Sequence, residues 1–394
     1  MIQAARCCKV HDHNNESLGM SEVQAGASSA LFGRWGQTNV SRGVSEFRAG
    51  RPVLVTSKPE IVLAVPVDGL DGQRLAEFMA LCSPIVPRLI ITEQRALALG
   101  LDSSTPMALA LSGREGANAI LALVTEATSS QIPQPEPASS AEAAAVQLVK
   151  LSESLPAVLA ANITDGIAQP ERFVRVEADA VARFADDAIR SLVIASEASV
   201  PLNSGTPARF VVFRDAMGGS PVAVIVGQPD FTNAVPVRLH SACLTGDVFG
   251  SRRCDCGDQL RLALARLEEL GGGLILYLAQ EGRGLGLANK MRTYQLQDDG
   301  LDTFDANTTL GFDDDERDYG IAARMLRILN CTEIVLLTNN PAKLDGLTKA
   351  GIEIIGRMPL EAPINADNRR YMSAKAARSG HRFDHLLASL ADDS

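Results

Sequence analysis

Downstream of Gly257 the chain alternates between two hydrophobic periods, and this alternation narrows the fold more than any other feature. GDQLRLALARLEELGGG has apolar residues at helical spacing and closes on glycines, while GLILYLAQ is a short continuous apolar run. LANKMRTYQLQDD and YGIAARMLRILN read as helices, EIVLLTNN as a strand, LDGLTKAG as a helix and IEIIGRMPL as a strand. Strands separated by helices need crossovers, and crossovers give parallel pairs in a layered α/β domain. In such sheets ligands sit beyond the carboxyl ends of strands. Two polar clusters fall there: Gln280-Glu281-Gly282-Arg283-Gly284 and Thr338-Asn339-Asn340-Pro341.

Upstream the pattern differs. Residues 1–44 are rich in Ser, Gly, Asn and Gln without apolar periodicity and read as a disordered leader. Within it, Cys7, Cys8, His11 and His13 form a faintly metal-like run that a flexible tail makes an incidental cluster. From Gly43 to about Thr128 the chain turns globular: GVSEFRAG is a short helix, RPVLVTS and EIVLAVPV are strands, and GQRLAEFMALC is a helix. PRLIIT is another strand, and RALALGL opens a helix. SSQIPQPEPASSAEA marks a loop or linker, and a second shift in composition lies near Ser196 to Gly205. The 394 residues suit two domains of about 100–200 residues each. The expected organisation is a leader over 1–44, an α+β domain over 45–195 and a layered α/β domain over 196–390.

The seven cysteines are an odd, dispersed set, which argues against a disulfide framework and for a reducing cytoplasm. No secretory signal and no membrane-length apolar run is read. A net charge of −10 excludes a general nucleic-acid-binding surface, so an anionic substrate needs a local basic pocket. Cys243, Cys254 and Cys256 stand together in HSACLTGDVFGSRRCDCG. A Cys-x-Cys pair strains to close as a disulfide, because the S–S bond needs a set dihedral and Cα separation. With a third thiolate upstream, three soft ligands can converge on one metal. Three thiolates suit zinc, with the fourth position left for water. Such an open site is catalytic, since zinc brings the pKa of its water to about 7. The alternative is three free core cysteines; Gly257 and the charged Arg252, Arg253 and Asp255 alongside weigh against it.

Glu281-Gly282-Arg283 follows an apolar strand, with Gly284 and Gly286 next. A glycine loop there lets backbone N–H groups approach a phosphate, and Arg283 can add a bidentate contact. The run from Asp313 to Asp318 supports two readings. It is a solvated helix N-terminus, where acids favour the dipole, or a site in which Asp315 is a general base and Arg317 holds a phosphate. Tyr294, four residues beyond Lys290, reads by itself as a packed amphipathic residue.

Four segments in order, RLHSACLTGDVFGSRRCDCG, YLAQEGRGLGLANKMRTYQLQDDGLDT, GFDDDERDYG and LLTNNPAK, closely resemble the GTP cyclohydrolase II family, which performs the first committed step of riboflavin synthesis. The resemblance spans about Ser196 to Gly380. It implies that Cys243, Cys254 and Cys256 hold one catalytic zinc per chain. It implies that Arg238, Leu239, His240, Ser241 and Ala242 line the nucleotide site, and that Gln259, Glu281, Gly282, Arg283, Thr303, Thr338 and Lys343 contact GTP. Asp315 is the implied proton acceptor, Arg317 the implied nucleophile toward the α-phosphate, and Tyr294 the residue suited to the second hydrolytic step. Mg²⁺ is expected with the triphosphate.

The implied reaction turns GTP into 2,5-diamino-6-ribosylamino-4(3H)-pyrimidinone 5′-phosphate, formate and pyrophosphate, in a cytoplasmic homodimer without nucleic-acid or membrane partners. The alternative is a paralogue with a related substrate, or one that stops at the formylated intermediate. Ala242 departs from the family, which commonly has glutamate after His-Ser. A guanidinium stays protonated in proteins, which favours binding and charge stabilisation for Arg317. GVSEFRAGRPVLVTS and LAEFMALCSPIVPRLIITEQRALALGL are similar to 3,4-dihydroxy-2-butanone-4-phosphate synthase, often fused ahead of GTP cyclohydrolase II. That family carries an acidic Asp-Arg-Glu-Asn-Glu-type loop, whereas TSKPEIVLAVPV here has no acidic cluster, so a degenerate domain is expected.

Overall fold

Period-two alternation along the first strands sends successive side chains to opposite faces, and here both faces are apolar. The computed structural model of the chain describes residues 33–127, 131–163, 166–215, 218–363, 365 and 368. The Cys7, Cys8, His11 and His13 run lies outside them. Helix α1 (Trp35–Arg48) leads into the hairpin β1 (Val53–Ser57) and β2 (Glu60–Pro66). There follow α2 (Gly72–Cys82), β3 (Arg88–Ile91), α3 (Glu93–Ala98), β4 (Met107–Ala110) and α4 (Ala117–Thr125). Then come β5 (Pro135–Pro137), α5 (Ser140–Leu151), β6 (Ala157–Asn162), β7 (Arg175–Glu177), α6 (Ala178–Ala182) and α7 (Phe184–Ser191). The seven strands order as β5-β4-β3-β6-β2-β1-β7, antiparallel throughout except between β1 and β7. Val53, Val55, Val62 and Ala64 pack with α1 and α5 on one face. Leu54, Leu63 and Val65 pack with Phe78 and Ile120 on the other.

Two expectations about this half need correcting. Residues 35–44 are not leader but the first part of α1, because Val40, Val44 and Phe47 form a buried stripe at helical spacing. The Pro- and Ser-rich stretch is not all linker. Pro135–Pro137 adds an edge strand, and Ser139 and Glu142 exchange side-chain and backbone hydrogen bonds in a capping box that starts α5.

The second sheet begins at β8 (Val193–Pro201), three residues before the boundary expected from composition, and continues through β9 (Pro207–Arg214), β10 (Val222–Gly227) and β11 (Val235–Ser241). After α8 (Cys256–Glu269) come β12 (Gly272–Leu278), α9 (Leu287–Asp298), α10 (Thr303–Thr309) and α11 (Gly320–Ile328). The last elements are β13 (Glu333–Leu337), α12 (Pro341–Lys349) and β14 (Glu353–Met358). The order is β14-β13-β11-β12-β10-β9-β8. The first four run parallel, as the alternation predicts, while β10, β9 and β8 form an antiparallel meander. Parallel strands end on one edge, so the segments leaving β11, β12 and β13 meet there. Among the described residues no helix is long and apolar enough to cross a membrane.

Candidate active site

Cys243 lies just past the end of β11 and caps a turn of π-helix over Leu244–Val248, with the Gly246 N–H donating to its Sγ at 3.3 Å. Cys256 opens α8, and Cys254 stands two residues earlier. The three sulfurs lie within 4.8 Å of one another, with Cys243 and Cys254 at 3.7 Å. Gly246 makes room for this: a Cβ there would stand 2.9 Å from the Cys254 sulfur and 3.1 Å from that of Cys243. Hydrogen bonds from Cys254 and then Cys256 hold the Cys243 thiol well below its ordinary range, while the Cys254 and Cys256 thiols are pushed up, chiefly by Cys243. The start of α8 adds the positive end of a helix dipole to the Cys256 side. A soft, converging, nearly buried set of this kind fits zinc, and it is the only such metal-ligand group among the described residues.

The sulfurs line a partly open cleft with convergent polar and charged groups, the form small-molecule sites take. Every residue that the sequence assigned to zinc or GTP lines it except Leu239, whose side chain is buried in the sheet. Tyr294 and Arg317 line it too; Asp315 does not. Arg238, Arg283, Lys290, Arg317 and Lys343 face it against two carboxylates, Asp255 and Glu281. An acidic chain has thus built a cationic pocket, as an anionic substrate requires. Arg238 is buried, donates to the Leu337 carbonyl at 3.0 Å and to Gln259, and leaves its Nε without a partner. Burial pushes its pKa down to about 10. Arg283 takes a left-handed φ of +62°, a conformation costing roughly 1 kcal/mol in a non-glycine residue and common at functional sites.

Arg317 is held by Asp315 through Nε at 2.7 Å and a terminal nitrogen at 2.6 Å. The same carboxylate accepts the Arg317 N–H at 3.1 Å and the Tyr319 hydroxyl at 3.1 Å. Burial pushes the Asp315 carboxyl up, but the hydrogen bond and charge of Arg317 outweigh it and hold its pKa low. A carboxylate so engaged, and outside the cleft, is suited to orienting Arg317 more than to accepting a proton from substrate.

Two groups escaped the sequence. Lys290, buried on α9, donates to Cys243 Sγ at 3.0 Å, Thr245 Oγ1 at 2.9 Å and Glu281 Oε1 at 2.8 Å. Burial disfavours its charge, but the bonds to Cys243 and Glu281 prevail and raise its pKa. Of the polar residues that α9 buries, Lys290 and Thr293 face the cleft, while Asn289 donates to the Glu153 and Leu285 carbonyls. Asp247 accepts from the Cys243 N–H at 2.9 Å, the Tyr277 hydroxyl at 2.9 Å and His240 Nε2 at 3.0 Å, fixing the thiolate loop to β11 and β12.

The family model described as GTP cyclohydrolase II matches residues 193–359. The chain is 39% identical over 367 residues to a GTP cyclohydrolase-2 of Xylella fastidiosa, covering 90% of this chain and 89% of that protein. It is 38% identical over 361 residues to a GTP cyclohydrolase-2 of Azospirillum brasilense, covering 87% and 94%. A riboflavin biosynthesis protein RibBA of Bacillus mycoides is 51% identical over 160 residues, 41% of this chain and 40% of that protein.

Proposed function

Because the chain belongs to the GTP cyclohydrolase II family, a hydrolase family of riboflavin biosynthesis, we propose that its cleft opens and deformylates the guanine of GTP and removes pyrophosphate. The products are then 2,5-diamino-6-ribosylamino-4(3H)-pyrimidinone 5′-phosphate, formate and pyrophosphate. The observation that carries this reading is the pairing, in one cleft, of a three-sulfur cluster with five cationic side chains. The first suits a Lewis acid for hydrolysis and the second a triphosphate with its Mg²⁺.

Cys243, Cys254 and Cys256 would hold zinc, which supplies Lewis acidity at neutral pH. Water adds to C8 of the base and the C8–N9 bond breaks. A second water releases the C8 carbon as formate, and a third divides the α- from the β-phosphate. Lys290 keeps the Cys243 sulfur and Glu281 in register through its three hydrogen bonds. Arg317, fixed by Asp315, and Arg283 face the phosphates as permanent cations and stabilise charge as it develops. Tyr294 stands in the cleft with the Arg253 guanidinium 4.4 Å from its ring centre, placed to donate or relay a proton in the deformylation. Incubating the purified chain with GTP and Mg²⁺ and identifying the products by mass spectrometry tests the proposal. The deformylated pyrimidine, formate and pyrophosphate are expected; a formylated pyrimidine as the end product overturns the full reaction.

A further inference from the structure

The first sheet contributes nothing to the lining of the cleft, yet its core does not stop at its own elements. Leu285, Leu310 and Phe312 of the second half, all at most 2% exposed, are packed among Leu89, Ile91, Leu155 and Leu159 of the first. They belong to two segments that both supply the cleft, and the turn holding Leu285 presents Glu281, Gly282 and Arg283. α10 presents Thr303 and Asn307, and the loop after it presents Arg317.

Polar contacts follow the same course. Arg95, 1% exposed, donates to the Leu123 and Glu126 carbonyls at the end of α4 and, at 2.7 Å, to the Thr309 carbonyl at the end of α10. One guanidinium thus ties together the carbonyl ends of two helices, one from each half. Thr92 Oγ1 donates to the Gly311 carbonyl at 2.7 Å, and Gly311, at φ +86°, has no Cβ to push it away. Lys150 Nζ reaches Glu316 Oε1 at 2.8 Å and Asp313 Oδ2 at 3.6 Å. Glu316 in turn donates its N–H to the Arg283 carbonyl at 3.1 Å, and Arg283 donates to the Asp314 carbonyl at 3.2 Å. On the other side Asp68 binds Arg292 of α9 at 2.6 and 3.2 Å.

We propose that the N-terminal half is an internal scaffold for the nucleotide cleft, and that Lys150 is a positioning residue acting through Glu316 on Arg283 and Arg317. This rests on the reading of the cleft as the GTP site. A displaced guanidinium is costly, since an ångström of misplacement can lower a rate roughly 100-fold.

The test uses the full chain. Lys150→Ala is expected to lower kcat/KM for GTP by roughly 10-fold or more, to speed amide hydrogen exchange over residues 309–317, and to leave Tm and zinc content near those of the parent. Lys150→Arg, which keeps the charge, should restore most of the rate. Arg51→Ala, which breaks an exposed ion pair with Glu46 away from the cleft, serves as the control and should change nothing. Asp68→Asn provides the second arm through α9. Parent-like kcat/KM in both Lys150→Ala and Asp68→Asn overturns the scaffold, as does a loss in Lys150→Ala that Lys150→Arg does not repair. A parent that turns over no GTP at all defeats the functional reading instead, while the exchange measurement still decides the mechanical one.

Discussion

In the first sheet six neighbouring pairs include one parallel pair; in the second, four strands in succession run parallel. Antiparallel neighbours alternate their carboxyl ends between opposite edges, so polar segments following the strands are scattered. Parallel neighbours deliver theirs to one edge. The thiolate loop after β11, the Glu281–Arg283 turn after β12 and Thr338–Asn340 after β13 therefore share a single cleft. Both halves bury Val, Leu and Ile with a few polar groups, but those of the first are used up structurally, Arg95 on helix-end carbonyls and Glu142 on Arg88 and a helix cap. Arg238, His240, Lys290, Thr338 and Lys343 of the second instead line the cleft. Burying such groups costs several kcal/mol each unless they find partners. That a chain retains them beside one strand edge marks that edge as the working one, and leaves the first sheet the role of support.

The sharpest way to break this division is to remove a sulfur. Cys254→Ser should abolish bound zinc and GTP ring opening while the first sheet stays folded, as read by metal analysis, product mass spectrometry and circular dichroism. A variant with full zinc and full activity would dissolve the metal centre. Next in size is the Asp315–Arg317 pair. Arg317→Ala should cost roughly 10³-fold in kcat, as loss of a phosphate-facing arginine does. Asp315→Asn should cost roughly 10- to 100-fold, the range for a group that orients another. If Asp315 orients Arg317, its variant keeps the parental shape of the rate profile between about pH 5 and 8. A basic limb lost with Asp315→Asn would restore the proton-acceptor role.

The second half was legible because its chemistry and its periodicity coincide. Alternating strand and helix patterns alone place Glu281–Arg283 and Thr338 at strand ends, and the cysteine spacing points to a shared metal there. What stayed hidden depends on direction in space. Nothing local distinguishes Asp315 beside the cleft from Asp315 in it, or Leu239 from its neighbours Arg238 and His240, which β11 turns to the opposite face. The first ten residues of α1 were missed because a helix with one narrow apolar stripe among Ser, Thr, Asn and Gln looks polar until its partner sheet is known. The ties from Thr92, Arg95 and Lys150 to residues over 160 positions away leave no periodic trace at all.

A smaller effect separates the two sheets in acid. His240 is the one histidine among the described residues, so the first sheet carries none. Its side chain is 3% exposed, and burial pushes its pKa below the ordinary value despite the hydrogen bond with Asp247. The unfolded histidine titrates near 6.5. Because the folded pKa is the lower one, the unfolded chain takes up the proton first as pH falls. The stability owed to neutral His240 is therefore whole above about pH 6.5 and is lost as pH drops toward the folded value. Thermal melts from about pH 8 to about pH 5 should fall more steeply for the parent than for His240→Asn. Parallel curves would remove His240 from the acid response.

The last expected effect is zero. If the first sheet is support, the full chain should not convert ribulose 5-phosphate to dihydroxybutanone phosphate. That chemistry needs clustered carboxylates to hold Mg²⁺ and to move protons from carbon. Between Val53 and Val67 the chain has one acid, Glu60, and its carboxylate accepts from Asn162 at 3.3 Å. The next, Asp68, is spent on Arg292 and on the Leu155 N–H at 3.2 Å. A single carboxylate cannot bind a hard cation and act as a base together, and a carboxylate already paired with a guanidinium is a poor base. Assay with ribulose 5-phosphate and Mg²⁺ beside a competent synthase decides it. Turnover comparable to that control would give the first sheet a chemistry of its own, and with it a reason to persist other than holding the second in place.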